Sequence, residues 1–262
     1  MCINNQGHQF HKHKTMNNIS LQKLKQLKFF GMHDALTSAI ETGKLDQYTT
    51  DHLISHLVES EWDDRYNRKI ARAVKNARFR YVAQIENLVY NQDRNLDQNG
   101  VLRLAQFNFI KKGQNLLITG STGVGKSYIA SALGHQACIE GYKVLYFNTT
   151  KMLAHLKMAK ADGSYLKEIA RIERHHLIIF DDFGLQVMDK QNRMALLEII
   201  EDRHEKGAVI FTSQLPVNEW YDIIGEKTVA DAVMDRLVHN AHRIELTGES
   251  MRKKRTQKII EN

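Results

Sequence analysis

Apolar positions recur at two different periods along this chain, and the period changes near residue 100. Toward the N-terminus Leu21, Leu24, Leu27, Met32, Ala35 and Leu36 recur at the spacing of one helix face. Ser20 is placed to cap that helix, Gly31 to interrupt it, and Gly43 to turn the chain. Thr50 or Asp51 then caps a longer helix with Leu53, Ile54, Leu57, Val58 and Trp62 on one face. Beyond residue 100 the apolar residues come in short runs: NLLIT at 115–119, KVLYFN at 143–148, LIIFDD at 177–182, AVIFTS at 208–213 and HRIEL at 242–246. Helical segments separate them. Strands alternating with helices predict a mainly parallel sheet covered on both faces, preceded by a small all-helical region.

One strand-to-helix junction carries chemistry. Gly120, Ser121, Thr122, Gly123, Val124, Gly125, Lys126 and Ser127 spell GSTGVGKS between NLLIT and the helical run that Tyr128 opens. This is the phosphate-binding pattern G-x-x-x-x-G-K-[ST], in the strand–loop–helix context that it needs. Glycines let consecutive N–H groups turn toward an anion, and the helix N-terminus adds positive potential. Lys126 is expected to reach the β- and γ-phosphates of ATP, and Ser127 to place its hydroxyl on Mg²⁺. LIIFDD reads as a buried strand ending in two acids. Asp181 is expected beside the metal and Asp182 beside the attacking water.

Charge adds a second candidate surface. The chain has 262 residues and a formal net charge of +7, which favours an anionic partner. Its strongest basic run is Arg65, Arg68, Lys69, Arg72, Lys75, Arg78 and Arg80, interleaved with Tyr66, Phe79 and Tyr81. Residues three or four apart share a helix face, so the first six read as a phosphate-contacting stripe for double-stranded DNA. A solvated helix face is the plainer reading. No run of eighteen apolar residues exists to cross a membrane. Two cysteines, Cys2 and Cys138, without zinc spacing point to a reducing, cytoplasmic setting. His8, His11 and His13 lie in a polar leader without accompanying acids, and either Met1 or Met16 is the natural start.

GSTGVGKSYIASALG, LIIFDDFGL, VIFTSQLPVNEWY and DRLVHNAHRIELTGESMRK together resemble the IstB family, AAA+ ATPase helpers of insertion-sequence transposases related to DnaC-type helicase loaders. The resemblance implies an AAA+ P-loop core at 91–255. Before it stand a leader at 1–16 and a helical DNA-binding and oligomerisation domain at 17–90, and a tail follows at 256–262. It implies a DNA-stimulated, Mg²⁺-dependent ATPase that self-associates on DNA and serves the transposase of the same element. Ser213 or Gln214 takes the sensor position, Arg236 resembles an arginine finger that completes a neighbouring subunit's site, and Arg252 a second sensor. Asp182 stands where many AAA+ enzymes have Glu. A helicase loader of the DnaC type is the alternative.

Overall fold

The computed structural model describes residues 17–90 and 92–251. His8, His11, His13, both candidate start methionines and Arg252 lie outside the described residues. Two compact units divide between Arg72 and Ala73.

The first unit is helical. Helix α1 covers 17–26, α2 runs Phe30–Glu41, and α3 runs Thr50–Ala77, 28 residues or roughly 42 Å at 1.5 Å per residue. Ser20 lies inside α1 instead of capping it. Thr49 caps α3, accepting the His52 N–H at 3.3 Å. Gly31 sits within the first turn of α2, because α2 presses onto α3 there. A Cβ on Gly31 would lie 2.2 Å from the Ser60 carbonyl oxygen. Glu61 fixes this crossing. Its buried carboxylate accepts the N–H groups of Gly31 at 2.9 Å and Met32 at 3.3 Å, satisfying donors that a helix start leaves unpaired.

The second unit contains α4 (Gln98–Leu104), α5 (Asn108–Lys111), β1 (Asn115–Gly120), α6 (Lys126–Ile139), β2 (Val144–Asn148), α7 (Thr149–Asp162) and α8 (Tyr165–Glu173). Then follow β3 (Leu177–Phe183), α9 (Lys190–Arg203), β4 (Ala208–Ser213), α10 (Trp220–Ile224), α11 (Lys227–Val238) and β5 (Ala241–Leu246). The five strands form one sheet in the order β2-β3-β4-β1-β5, every neighbour parallel. All five expected strands are present. Alternate side chains go to opposite faces. Leu116, Ile118, Ile179 and Ile210 pack with Ile129 and Leu133 of α6, while Leu117, Ile178, Phe180, Val209 and Phe211 pack with residues of α7–α11.

Ala77, Ala83, Ile85, Leu88, Leu96 and Val101 are buried in the first of these cores. The chain from Ala73 onward is therefore part of the α/β unit, whereas the sequence alone suggested a division near residue 90.

Candidate nucleotide site

The site gathers at the carboxyl ends of β1, β3 and β4. Gly123 and Gly125 have φ of 86° and 102°, left-handed values that cost a glycine little. Space is also short. A Cβ on Gly120 would lie 2.3 Å from the Leu246 carbonyl oxygen, and one on Gly123 2.2 Å from Ser250 Oγ. The Met251 N–H donates to the Gly123 carbonyl at 2.9 Å, so the GES-Met segment backs the loop. Lys126 Nζ donates to the Gly120 and Ser121 carbonyls at 2.7 and 2.8 Å, which folds the ammonium over the loop that α6 caps. Val124 is buried; Ser121 and Thr122 are exposed; Ser127 and Tyr128 are half-buried.

Arg94 braces the same loop, and nothing in the sequence signalled it. Its buried guanidinium donates to the Val124 carbonyl at 2.7 Å and to the Val89 carbonyl. Burial lowers its pKa.

Asp181 and Asp182 converge although they are consecutive. Successive side chains of a regular strand diverge. Here the β3–β4 register shifts between Phe180 and Phe183, and Asp182 takes a φ of 58°. Such a bulge re-aims side chains, and a non-glycine left-handed residue stores strain where function can use it. Asp181 is fully buried. Its Oδ1 accepts from Thr212 Oγ1 at 2.5 Å and its Oδ2 from the Tyr146 hydroxyl. Asp182 accepts from Asn148 Nδ2 at 3.2 Å and donates its N–H to Thr212 Oγ1 at 3.1 Å. Arg80 bridges the pair, Nη1 lying 3.2 Å from Asp181 Oδ2 and 2.8 Å from Asp182 Oδ2. Burial pulls the Arg80 pKa down, but the bonds to both carboxylates leave it raised. Arg80 therefore belongs to the acidic pair, not to the basic stripe whose end it seemed to form.

The two sensor candidates part company. The Ser213 hydroxyl is buried and donates to the Phe183 carbonyl at 2.8 Å, a bond internal to the fold. Gln214 Oε1 accepts from Thr122 Oγ1 of the phosphate loop at 2.7 Å. Arg236 lies elsewhere. Asn115, at the start of β1, donates to the Arg236 carbonyl at 3.0 Å, about 17 Å of strand from Gly120. Its guanidinium pairs with Glu201 at 3.0 Å and donates to the Ala232 carbonyl at 2.9 Å.

The basic stripe is also divided. Arg65 pairs with Glu61 at 2.6 Å and Arg68 with Asp64 at 2.5 Å. Both guanidinium groups also stack on rings, Arg65 over Phe29 and Arg68 over Phe30. They hold α2 to α3. Lys69, Arg72 and Lys75 on α3, and Arg78 beyond it, are exposed, with no ion pair among the described residues.

Residues 22–259 match the family model of the IstB-like ATP binding protein. The chain belongs to that family. It is 41% identical over 239 residues to an insertion sequence ATP-binding protein of Sinorhizobium fredii, covering 91% of this chain and 98% of the relative. It is 26% identical to the IS21 ATP-binding protein of Pseudomonas aeruginosa, with 90% and 89% covered. Among solved structures it resembles the DnaC helicase loader (TM-score 0.53, 20% identity, 64% of this chain and 98% of that one). It also resembles AMPPCP-bound DnaA from Aquifex aeolicus (TM-score 0.57, 19% identity, 71% and 57%). The fold of this IstB-like chain is thus the AAA+ P-loop type. Mg²⁺ is commonly held by one or two carboxylates and the substrate's own phosphates. The buried Asp181, its neighbour Asp182 and the Ser127 hydroxyl are hard oxygen donors that suit it.

Proposed function

We propose that this IstB-like protein hydrolyses ATP with Mg²⁺, self-associates on double-stranded DNA and presents that DNA to the transposase of its own insertion sequence. One observation carries the hydrolytic part: a strained acidic pair is coupled through Thr212 and Gln214 to the strand end that bears the phosphate loop. In this reading the loop N–H groups and Lys126 bind the β- and γ-phosphates. Bound Mg²⁺ would supply positive charge to the phosphates. Ser127 and Asp181 hold the cation, and Asp182 orients water with Asn148 fixing its carboxylate. Gln214 senses the γ-phosphate from its place on Thr122.

Arg236 acts on a neighbour's nucleotide. It stands at the far end of β1 from its own loop, and it exchanges Glu201 for the phosphates when two protomers meet. Arg252 serves as a second nucleotide sensor. DNA is bound by the exposed basics of the stripe, with Lys69, Arg72 and Lys75 as its centre. The helical first unit contributes DNA binding and assembly. The family's insertion-sequence membership favours a transposase as partner, in the cytoplasm. The likeness to the DnaC loader keeps a replicative helicase as the second reading, and co-purification with one partner or the other decides between them.

The nucleotide role is tested by two substitutions. Lys126→Ala removes the phosphate-binding ammonium and is expected to abolish ATP binding. Asp182→Asn keeps the shape of the side chain and is expected to bind ATP normally while turnover stops. Parental hydrolysis by Asp182→Asn, measured as phosphate release, refutes the role given to Asp182.

A further inference from the structure

Arg80 has a setting that the hydrolytic machinery does not require. It lies three residues beyond α3, after Arg78 turns the chain with a φ of 58°. Aromatic neighbours hold it on both sides. The Phe79 ring rests on α6 at Gly134, where a Cβ would come within 2.6 Å of it, and meets the Tyr146 ring edge-on at 6.2 Å. The Tyr81 ring packs 6.2 Å from that of Tyr128, and the Arg80 guanidinium lies over the Tyr81 ring. Two rings thus seat the backbone, while the Arg80 side chain remains 43% exposed.

The donors around Asp181 are not equivalent. Thr212 and Tyr146 donate from buried positions on β4 and β2, adjacent to β3 in the sheet. Arg80 is the one partly exposed donor of the three. Both Asp181 oxygens carry donors, and Asp182 shares the same guanidinium. A divalent cation that takes an oxygen of Asp181 competes with a donor already on it. Arg80 is the donor that can leave without opening the core.

We propose that Arg80 is a releasable counter-ion latch on Asp181 and Asp182, which a divalent cation displaces when it binds with nucleotide. The latch neutralises the acidic pair until metal arrives, and so sets the metal concentration at which the site engages. It rests on the reading of Asp181 as the metal-holding acid.

The test is a Mn²⁺ titration of the full chain saturated with AMPPCP, followed by electron paramagnetic resonance. Arg80→Gln removes the competing charge and should lower the Mn²⁺ needed for half-saturation about fivefold, a charge-assisted contact discounted for exposure. Arg80→Lys keeps the charge and should stay within about twofold of the parent. Asp181→Asn should raise the requirement steeply. A parental requirement in Asp181→Asn overturns the metal assignment and the latch with it. A raised requirement there, with Arg80→Gln unchanged or needing more Mn²⁺, overturns the latch alone. The parent chain gives an independent reading through phenylglyoxal labelling of Arg80. Labelling should rise when Mn²⁺ and AMPPCP are added. Constant or falling labelling means that the guanidinium is not released to solvent, and the latch fails.

Discussion

The two ends of the parallel sheet are built on opposite principles. At the carboxyl ends of the strands the backbone departs from regular strand geometry. Gly123, Gly125 and Asp182 have positive φ, β3 slips register, and two carboxylates share one arginine. At the amino ends buried side chains close off backbone carbonyls. Arg203 donates to the carbonyls of His175, His176 and Ala208 at 3.0–3.1 Å. Asn115 donates to the carbonyls of Arg236 and Leu237 at the end of α11. Both ends contain buried arginines and a non-glycine residue with positive φ, Asp182 at one and Glu205 at the other, yet only the carboxyl end gathers a glycine loop and two carboxylates.

Substitutions at the amino end should therefore cost stability without altering nucleotide affinity. Arg203→Met strands three carbonyls and is expected to lose about 2–4 kcal/mol. That lowers the melting temperature by roughly 5–15 °C for a unit of this size. Burial already draws the Arg203 pKa down to about 10, so the guanidinium is still charged at neutral pH. Unchanged melting, or ATP affinity that falls beyond the effect of unfolding, contradicts the division between the ends.

A smaller effect concerns α3, where the same contrast recurs between paired and unpaired cations. Lys69→Glu, Arg72→Glu and Lys75→Glu together should weaken binding to all DNA sequences alike. The slope of log affinity against log salt should become shallower by up to about three. Arg68→Glu should instead disturb the α2–α3 contact and lower melting temperature. DNA affinity unaltered by the triple substitution returns the stripe to a solvated face.

The smallest effect is on acid stability. Burial raises the Glu61 pKa, but the Arg65 hydrogen bond, the Met32 and Gly31 N–H groups and the Arg65 charge together hold it below its ordinary 4.5. A carboxyl depressed by folding stabilises fully above its unfolded value and loses that contribution as pH falls through the folded one. Stability should thus decline below about pH 4.5 more steeply in the parent than in Glu61→Gln. Equal slopes in acid titrations followed by circular dichroism exclude that role.

The strands were legible because fully buried parallel strands are written as continuous apolar runs. The phosphate loop was legible because its glycines and Lys126 are local in sequence. Arg80 was not. Its partners stand about a hundred residues away, and a run of basics on one helix looks the same whether its last member faces solvent or carboxylates. The convergence of Asp181 and Asp182 was equally hidden, since a bulge depends on how β3 and β4 align. Arg65 and Arg68 look like phosphate contacts because their ring partners, Phe29 and Phe30, lie at the start of another helix. Helix starts shifted for a local reason: Thr49 offers the same cap chemistry one residue earlier than Thr50.

The proposed division of one nucleotide site between opposite sheet ends of two protomers is tested most directly by mixing two defective variants. Arg236→Ala keeps a whole phosphate loop and should bind ATP nearly normally, with hydrolysis reduced about 10³-fold. Lys126→Ala keeps an intact Arg236. Combined on DNA, the two should recover ATPase activity that neither has alone, because an Arg236→Ala loop then meets a Lys126→Ala arginine. No recovery in the mixture, or full parental activity at dilutions where only monomers exist, contradicts the account.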